Sequence, residues 1–199
     1  MIRKMAEQGK KKPHGAGRSS FSLIDPDKVF GELRLKRGAA FLDMASGPGH
    51  YAMAALDILG QGGVVYAVDL WEEGIATLQE HAADRGLRNL RATVADISKR
   101  IPVESHSIDV CLMATVLHEL NLSATPHETL KEAARVLIPH GILAIIEFKK
   151  IPRPPGPPIH IRLGPEDVEK LVIPHGFEKK NLTDVGPYNY LITFLRRES

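Results

Sequence analysis

Four acids and one histidine carry most of the chemical content of this chain. Asp43 closes the apolar run of FLDMASGPGHY, and small residues with two glycines spaced G-x-G, Gly47 and Gly49, follow it. Asp69 ends VYAVDL, Asp96 lies in ATVADI, and the pair His118-Glu119 follows SIDVCLMATVL. Glycines after an apolar run let backbone amides approach a ligand closely. A carboxylate offers two acceptor oxygens, and a histidine titrates near neutral pH, where it can take or give a proton. Taken alone, Gly47, Gly49 and Ala52 fit the dinucleotide pattern G-x-G-x-x-A, with Asp69 twenty residues past Gly49. Asp43 speaks against that ligand. A carboxylate beside the loop repels a pyrophosphate and favours an amino group or another positive charge.

An alternation of strands and helices must position these residues. Asp25-Pro26 opens a helix to residue 35, and the pattern then predicts a buried strand over 40–43 and a helix over 51–59. A second strand, Val64–Asp69, follows the turn Gly60-Gln61-Gly62-Gly63; a helix over 72–85 stops at Gly86; strands over Leu90–Val94 and 108–113 come next. Thr125 as N-cap, Pro126 at the first helical position and Glu128 three residues after the cap predict a helix to residue 137, ended by Pro139-His140-Gly141 before a strand over 142–148. After the proline-rich IPRPPGPP the rhythm breaks. A helix over Pro165–Val172 precedes two strands, 177–185 and 188–195, joined at Gly186-Pro187 and therefore antiparallel. The tetrapeptide IPHG occurs at 138–141 and at 173–176 and reads as a helix stop both times. The expected fold class is α/β: a Rossmann-like, doubly wound, mostly parallel seven-stranded sheet with helices on both faces and a C-terminal antiparallel hairpin. Ligands of such sheets lie beyond the carboxyl ends of the strands where the order reverses, and Asp43, Asp69 and Asp96 ring that crevice.

Composition narrows the classes. With 199 residues, 43% of them hydrophobic and 25% charged, the chain suits one globular domain, placed at 21–199 after a basic tail at 1–20. The tail holds six basic residues, Arg3, Lys4, Lys10, Lys11, Lys12 and Arg18, against Glu7 alone, while the net charge of the whole chain is +2. The body is thus slightly acidic, a poor match for a nucleic-acid groove. The single cysteine, Cys111, lies in an apolar run, so the sequence offers no disulfide framework and no cysteine-based metal site, as suits a reducing cytoplasm. The longest apolar stretch, near 142–146, is too short to span a bilayer, and the first twenty residues lack the apolar segment of a secretory signal.

Taken together, D-x-A-x-G-x-G at 43–49, VYAVDL, ATVADI, SIDVCLMATVLHEL and EAARVLIPHGILAIIEFKK make residues 25–196 resemble the class I S-adenosylmethionine-dependent methyltransferases. The closest flavour is the small-molecule branch of quinone C-methyltransferases and arsenite methyltransferase-like proteins. The resemblance implies S-adenosyl-L-methionine as cofactor. It places the backbone of Ala45, Ser46, Gly47 and Gly49 around that cofactor, with Asp43 near its methionine amino end and Asp69 on both ribose hydroxyls. Leu70 and Trp71 would flank the adenine, Asp96 and the amide of Ile97 would meet its edge, and Met113 would complete the cofactor side. Ala45 departs from the glycine usual at that position.

Methyl transfer from a sulfonium asks the enzyme for positioning and, where the acceptor loses a proton, for a base. His118 is the candidate base or acceptor-orienting residue; packing on, or capping, the next turn is its alternative. Leu122 stands where a zinc protease H-E-x-x-H needs histidine, and the other histidines show no ligand spacing, so no metal is expected. The absence of N-P-P-Y and D-P-P-Y, and of a suitably placed cysteine, disfavours nucleic-acid base and arsenite methylation. The proline-rich segment reads as a wall of the acceptor pocket or as a spacer, and residues 19–23 as a lid over the acceptor. The expected partner is a small-molecule methyl acceptor. Two alternatives stay open, a non-catalytic cofactor-binding or regulatory protein and an NAD-dependent oxidoreductase.

Overall fold

A computed structural model describes residues 15–198. The first fourteen residues of the basic tail lie outside the described residues; of the remainder, Ser20 is already buried, at 2% exposure. A 3-10 turn, Phe21–Leu23, leads into α1 (Pro26–Leu33), whose N-terminus is capped by the Asp25 carboxylate accepting from the amide of Lys28. Strands β1 (Ala40–Met44), β2 (Val64–Asp69) and β3 (Leu90–Val94) alternate with α2 (His50–Leu59) and α3 (Glu72–Asp84). Then come β4 (Ile108–Ala114), the short α4 (Leu117–Leu122), α5 (Pro126–Val136), β5 (Leu137–Phe148), α6 (Pro165–Val172), β6 (Phe177–Asp184) and β7 (Asn189–Arg196).

All seven strands join one sheet in the order β3-β2-β1-β4-β5-β7-β6. The pairs from β3 to β5 are parallel and β7 runs antiparallel to both its neighbours, so the expected doubly wound sheet with a terminal hairpin is what forms. β7 enters between β5 and β6, which leaves the charged, exposed β6 (FEKKNLTD) as the edge, where lysines discourage pairing with another chain. Side chains alternate across the sheet. Phe41, Val65, Val110 and Ile146 pack under α1, α2 and α3, whereas Leu42, Cys111, Met113 and Ile145 pack under α5 and α6. Because strand order reverses between β1 and β4, their carboxyl ends open the crevice that positions the site. Among the described residues no helix is long and apolar enough to cross a membrane.

Two local expectations are corrected. The first IPHG does not stop α5 ahead of the strand: β5 begins at Leu137 and runs through it, with the β4 register jumping from Ile108↔Leu137 to Val110↔Ile142. The extra residues form a hump at His140 (φ 60), and a Cβ on Gly141 would stand 2.9 Å from the Ile138 carbonyl oxygen. The second IPHG behaves as read, as a 3-10 turn Ile173–His175 closed by Gly176 at φ 83. Thr125 does precede α5, but its side chain makes no capping bond, since its backbone (φ −116, ψ 17) is not extended.

Candidate active site

At the end of β1 the chain turns back through positive φ at Ala45 (62), Gly47 (52) and Gly49 (79) before entering α2. The amides of Ala45 and Ser46 donate to the Val68 carbonyl at 2.8 and 3.1 Å, tying the loop to β2. Only glycine fits at 49, because a Cβ would come 2.5 Å from Leu78 Cδ1. Asp69 completes the tie: Oδ2 accepts from the Gly47 amide at 2.8 Å and Oδ1 from the Trp71 amide at 2.7 Å. Each oxygen keeps a second lone pair for a ligand.

Asp43 lies beneath this loop at 1% exposure, and its Oδ2 has no hydrogen-bond partner; neither has the buried Ser46 Oγ. Burial, and next the charge of Asp69, push the Asp43 carboxyl up to about 7, against a hydrogen bond from the Ala52 amide. Unmet acceptors of this kind are rare in folded proteins and fit a ligand that brings N–H donors and positive charge.

The other sequence-expected residues divide. Trp71 immediately precedes α3, with Gly74 leaving room for its indole, and Leu70 is exposed at 55%. Asp96 follows β3 and closes its own turn, Oδ1 accepting from the Ser98 amide at 2.9 Å and hydroxyl at 2.7 Å; the hydroxyl bond foremost holds its carboxyl below the usual range. Ile97 is buried beside it. Met113 is not brought to the crevice: it is wholly buried, in register with Met44 and Ile145. The resemblance set it on the cofactor side, and the alternation of β4 turns its side chain into the core.

On the β4 and β5 side, His118 is buried at 4% exposure in the first turn of α4. Its Nδ1 lies 2.8 Å from Glu147 Oε2 and 3.1 Å from Oε1, and its amide donates to Oε1 at 3.1 Å. Glu147, on β5, is 0% exposed and also accepts from the Phe148 amide at 3.3 Å. Burial works against the charged imidazole, but the hydrogen bond and charge of Glu147, then the charge of Glu119, outweigh it, with Arg162 opposing, and raise the His118 pKa. With Nδ1–H donated to the carboxylate, Nε2 is the nitrogen left to take a proton. Sequence reading missed Glu147. Its signal was an acid closing the apolar IIEF, the same signal that marked Asp43.

The proline-rich segment is organised by one side chain. Arg162, 4% exposed, donates all five of its N–H bonds to carbonyls: Nε to Pro157, Nη1 to Lys149 and Ile151, Nη2 to Arg153 and Pro155, at 2.8–3.0 Å. The guanidinium also lies 5.6 Å from the ring centroid of Phe148, and the same ring meets His118 edge-on at 6.2 Å. Across the crevice, Ser20 Oγ lies 3.0 Å from Tyr51 Oη and 3.4 Å from Thr115 Oγ1, and Phe21 packs edge-on to Tyr51. The chain entering the body thus links the glycine-loop helix to the end of β4.

With this geometry in hand, comparisons with known proteins are specific. A family model described as a methyltransferase domain matches residues 35–174. Curated relatives include the ubiquinone/menaquinone biosynthesis C-methyltransferase of Bordetella parapertussis, 27% identical over 84% of this chain and 60% of the relative. That of Azotobacter vinelandii is 29% identical over 58% of this chain and 45% of the relative. The chain therefore spans at most about 60% of the length of these two relatives. Among solved structures, an S-adenosylmethionine-dependent methyltransferase from Aquifex aeolicus superposes with a TM-score of 0.80 at 32% identity, covering 89% of this chain and 92% of that one. The cyclase SpnF, TM-score 0.72 at 19% identity over 87% and 80%, shares the fold alone.

Proposed function

The chain belongs to the class I S-adenosylmethionine-dependent methyltransferases, and from that premise we propose that it methylates a small-molecule acceptor whose proton is taken by His118. The observation that carries the reading is the buried contact of His118 Nδ1 with Glu147 at 2.8 Å. An acceptor–H that gains a methyl group must lose its proton, and a pre-oriented imidazole gives that proton a place to go. Glu147 fixes the tautomer, so Nε2 receives the proton, and the same carboxylate then stabilises the imidazolium.

Two buried oxygens without partners, Asp43 Oδ2 and Ser46 Oγ, fit a ligand with the ammonium group of the family's cofactor. Asp43 would hold the ammonium end, and the backbone of Ala45, Ser46, Gly47 and Gly49 would wrap the chain beside it. Asp69 would accept from the ribose hydroxyls, Leu70 and Trp71 would flank the adenine, and Asp96 with Ile97 would meet its edge; Met113 would support them from the core. When bound, the cofactor supplies an electrophilic methyl group on sulfur that leaves as a neutral thioether. Arg162 holds the loop wall of the acceptor side, and residues 19–23 close over it as a lid.

The curated relatives are named for carbon methylation in ubiquinone and menaquinone biosynthesis. A carbon or oxygen acid of that general kind, which must be deprotonated, is the acceptor class that gives the His118 pair a task; nucleic acid is not, given the acidic body. The reading takes residues 21–199 as one catalytic domain after a basic tail and places it in the cytoplasm, where a buried free thiol such as Cys111 is at home. Thermal unfolding tests the cofactor assignment. S-adenosylhomocysteine at about 100 times its Kd should stabilise the protein by about 2.7 kcal/mol, and NAD should not. Stabilisation by NAD alone overturns the reading.

A further inference from the structure

Every N–H of the Arg162 guanidinium is spent on a carbonyl, so this buried cation has no unused donor for an acceptor molecule. Whatever it does for the reaction must pass through the segment it holds. Its place is fixed from the sheet. The turn that carries it closes through the amides of Ile161 and Arg162, which donate to the carbonyls of Pro158 at 3.0 Å and Ile159 at 3.2 Å. The next residue, Leu163, accepts at its carbonyl from Tyr190 Oη at 2.8 Å, and Tyr190 is the β7 register partner of Glu147. From that anchor the guanidinium reaches every second carbonyl from 149 to 157, those of Lys149, Ile151, Arg153, Pro155 and Pro157. A proline-rich chain is short of N–H groups to serve its own carbonyls. Arginine brings five donors in one rigid plane, whereas lysine brings three from a point.

The segment so gathered is folded onto one ring. Gly156, at φ 100, lies so close to Phe148 that a Cβ there would stand 2.6 Å from Phe148 Cδ1, and the guanidinium sits 5.6 Å from the centroid of the same ring. Phe148 in turn meets the edge of His118 at 6.2 Å. Glu147 and Phe148 are consecutive, so carboxylate and ring reach the imidazole from neighbouring positions at the end of β5. We propose that Arg162 is a positioning residue for methyl transfer: its guanidinium gathers residues 149–157 onto Phe148, and that ring holds the His118 imidazole in place for the acceptor. The proposal rests on the role given to His118 above and adds a second support to it. Glu147 fixes the imidazole at Nδ1, and Phe148 bounds it from the side.

The test follows the His118 Nδ1 proton by NMR in the full chain without cofactor. Arg162→Lys keeps the charge but loses the fork, and Phe148→Leu removes the ring while leaving all five carbonyl bonds in place. Each should speed exchange of this proton with water by roughly tenfold. A role in stability alone would lower the melting temperature and leave the proton at its wild-type rate in the folded protein. Labelled methyl incorporation into an organic extract of cells should fall by roughly 10–100-fold in both variants, with S-adenosylhomocysteine affinity within about twofold of the wild type. A wild-type exchange rate in either folded variant, or undiminished transfer in either, overturns the proposal. If Arg162→Lys does not fold, Phe148→Leu decides alone by the same two readings. Proton exchange needs neither cofactor nor acceptor. An extract that takes up no label even from the wild type would therefore count against the methyl-transfer reading, while the exchange rates still decide the role of Arg162.

Discussion

Asp43 and Glu147 each end a buried stretch of strand, at 1% and 0% exposure, yet the fold treats the two carboxylates in opposite ways. Asp43 shares the sheet face of Phe41, under α1 and α2, and Glu147 shares that of Ile145, on the α5 side. Glu147 is fully served, by the ring and amide of His118 and the amide of Phe148. Asp43 keeps Oδ2 without a partner and faces the charge of Asp69. A satisfied buried acid organises its neighbour, whereas an unsatisfied one costs free energy that a cationic ligand can return. On the proposed assignment of the two sides, this contrast makes the His118–Glu147 side preformed and leaves the Asp43 side to be completed by its ligand.

The largest expected effect tests the preformed half. His118→Ala should lower methyl transfer by roughly 10²–10⁴-fold, the usual worth of a positioned acid or base, and leave S-adenosylhomocysteine affinity within about twofold. Transfer can be followed as labelled methyl incorporation into an organic extract of cells, and affinity by calorimetry. A folded variant that has lost cofactor affinity would erase the division between the halves.

The next effect belongs to Asp43, whose pKa of about 7 lies above its unfolded value of 3.8. The neutral form dominates in the folded protein below pH 7, so the stability contributed by this raised pKa is full below about pH 4 and is lost as pH rises to 7. Binding runs the other way. A cationic ligand needs the ionised form, so S-adenosylhomocysteine affinity should rise by up to about tenfold per pH unit between pH 5 and 7 and level off above 8. Asp43→Asn should flatten that profile, weaken binding at pH 8 and raise the melting temperature of the ligand-free protein there. A variant that binds normally at pH 8 would contradict the role given to Asp43.

The same contrast shows what could be read in advance. The alternation of strands and helices was legible because hydrophobic periodicity and the turn residues agree, and it carried Asp43, the glycine loop and Asp69 into one crevice. The acid at Glu147 could be seen but its pairing could not, since nothing in IIEFKK says that a histidine 29 residues earlier will donate to it. The two IPHG segments show the limit most plainly. The same four residues build a hump inside β5, skipped by the β4 register between Leu137 and Ile142, and a 3-10 stop after α6. Met113 and Asp96 teach the converse. Both stand near strand ends, where one turns its side chain inward and the other gives an oxygen to its own turn, details that periodicity does not carry.

The smallest effect separates strain from ligand need at the crevice floor. Ala45 and Thr115 are the residues immediately after β1 and β4, and both sit at positive φ, 62 and 54. For Thr115 the hydroxyl contact to Ser20 at 3.4 Å compensates in part, but Ala45 has only its methyl, which packs on the core rim. The left-handed backbone costs an alanine roughly 1–2 kcal/mol that glycine avoids, while glycine gives back roughly 0.4–1 kcal/mol through the entropy of the unfolded chain. After the lost methyl contact, Ala45→Gly should gain about 0.5 kcal/mol, seen as a rise of about 1–2 °C in melting temperature. Cofactor affinity should not change, because the loop amides already point where a glycine would put them. A fall in melting temperature would mean that the Ala45 methyl outweighs its strain, and a gain in affinity would mean that this loop, like Asp43, waits for its ligand.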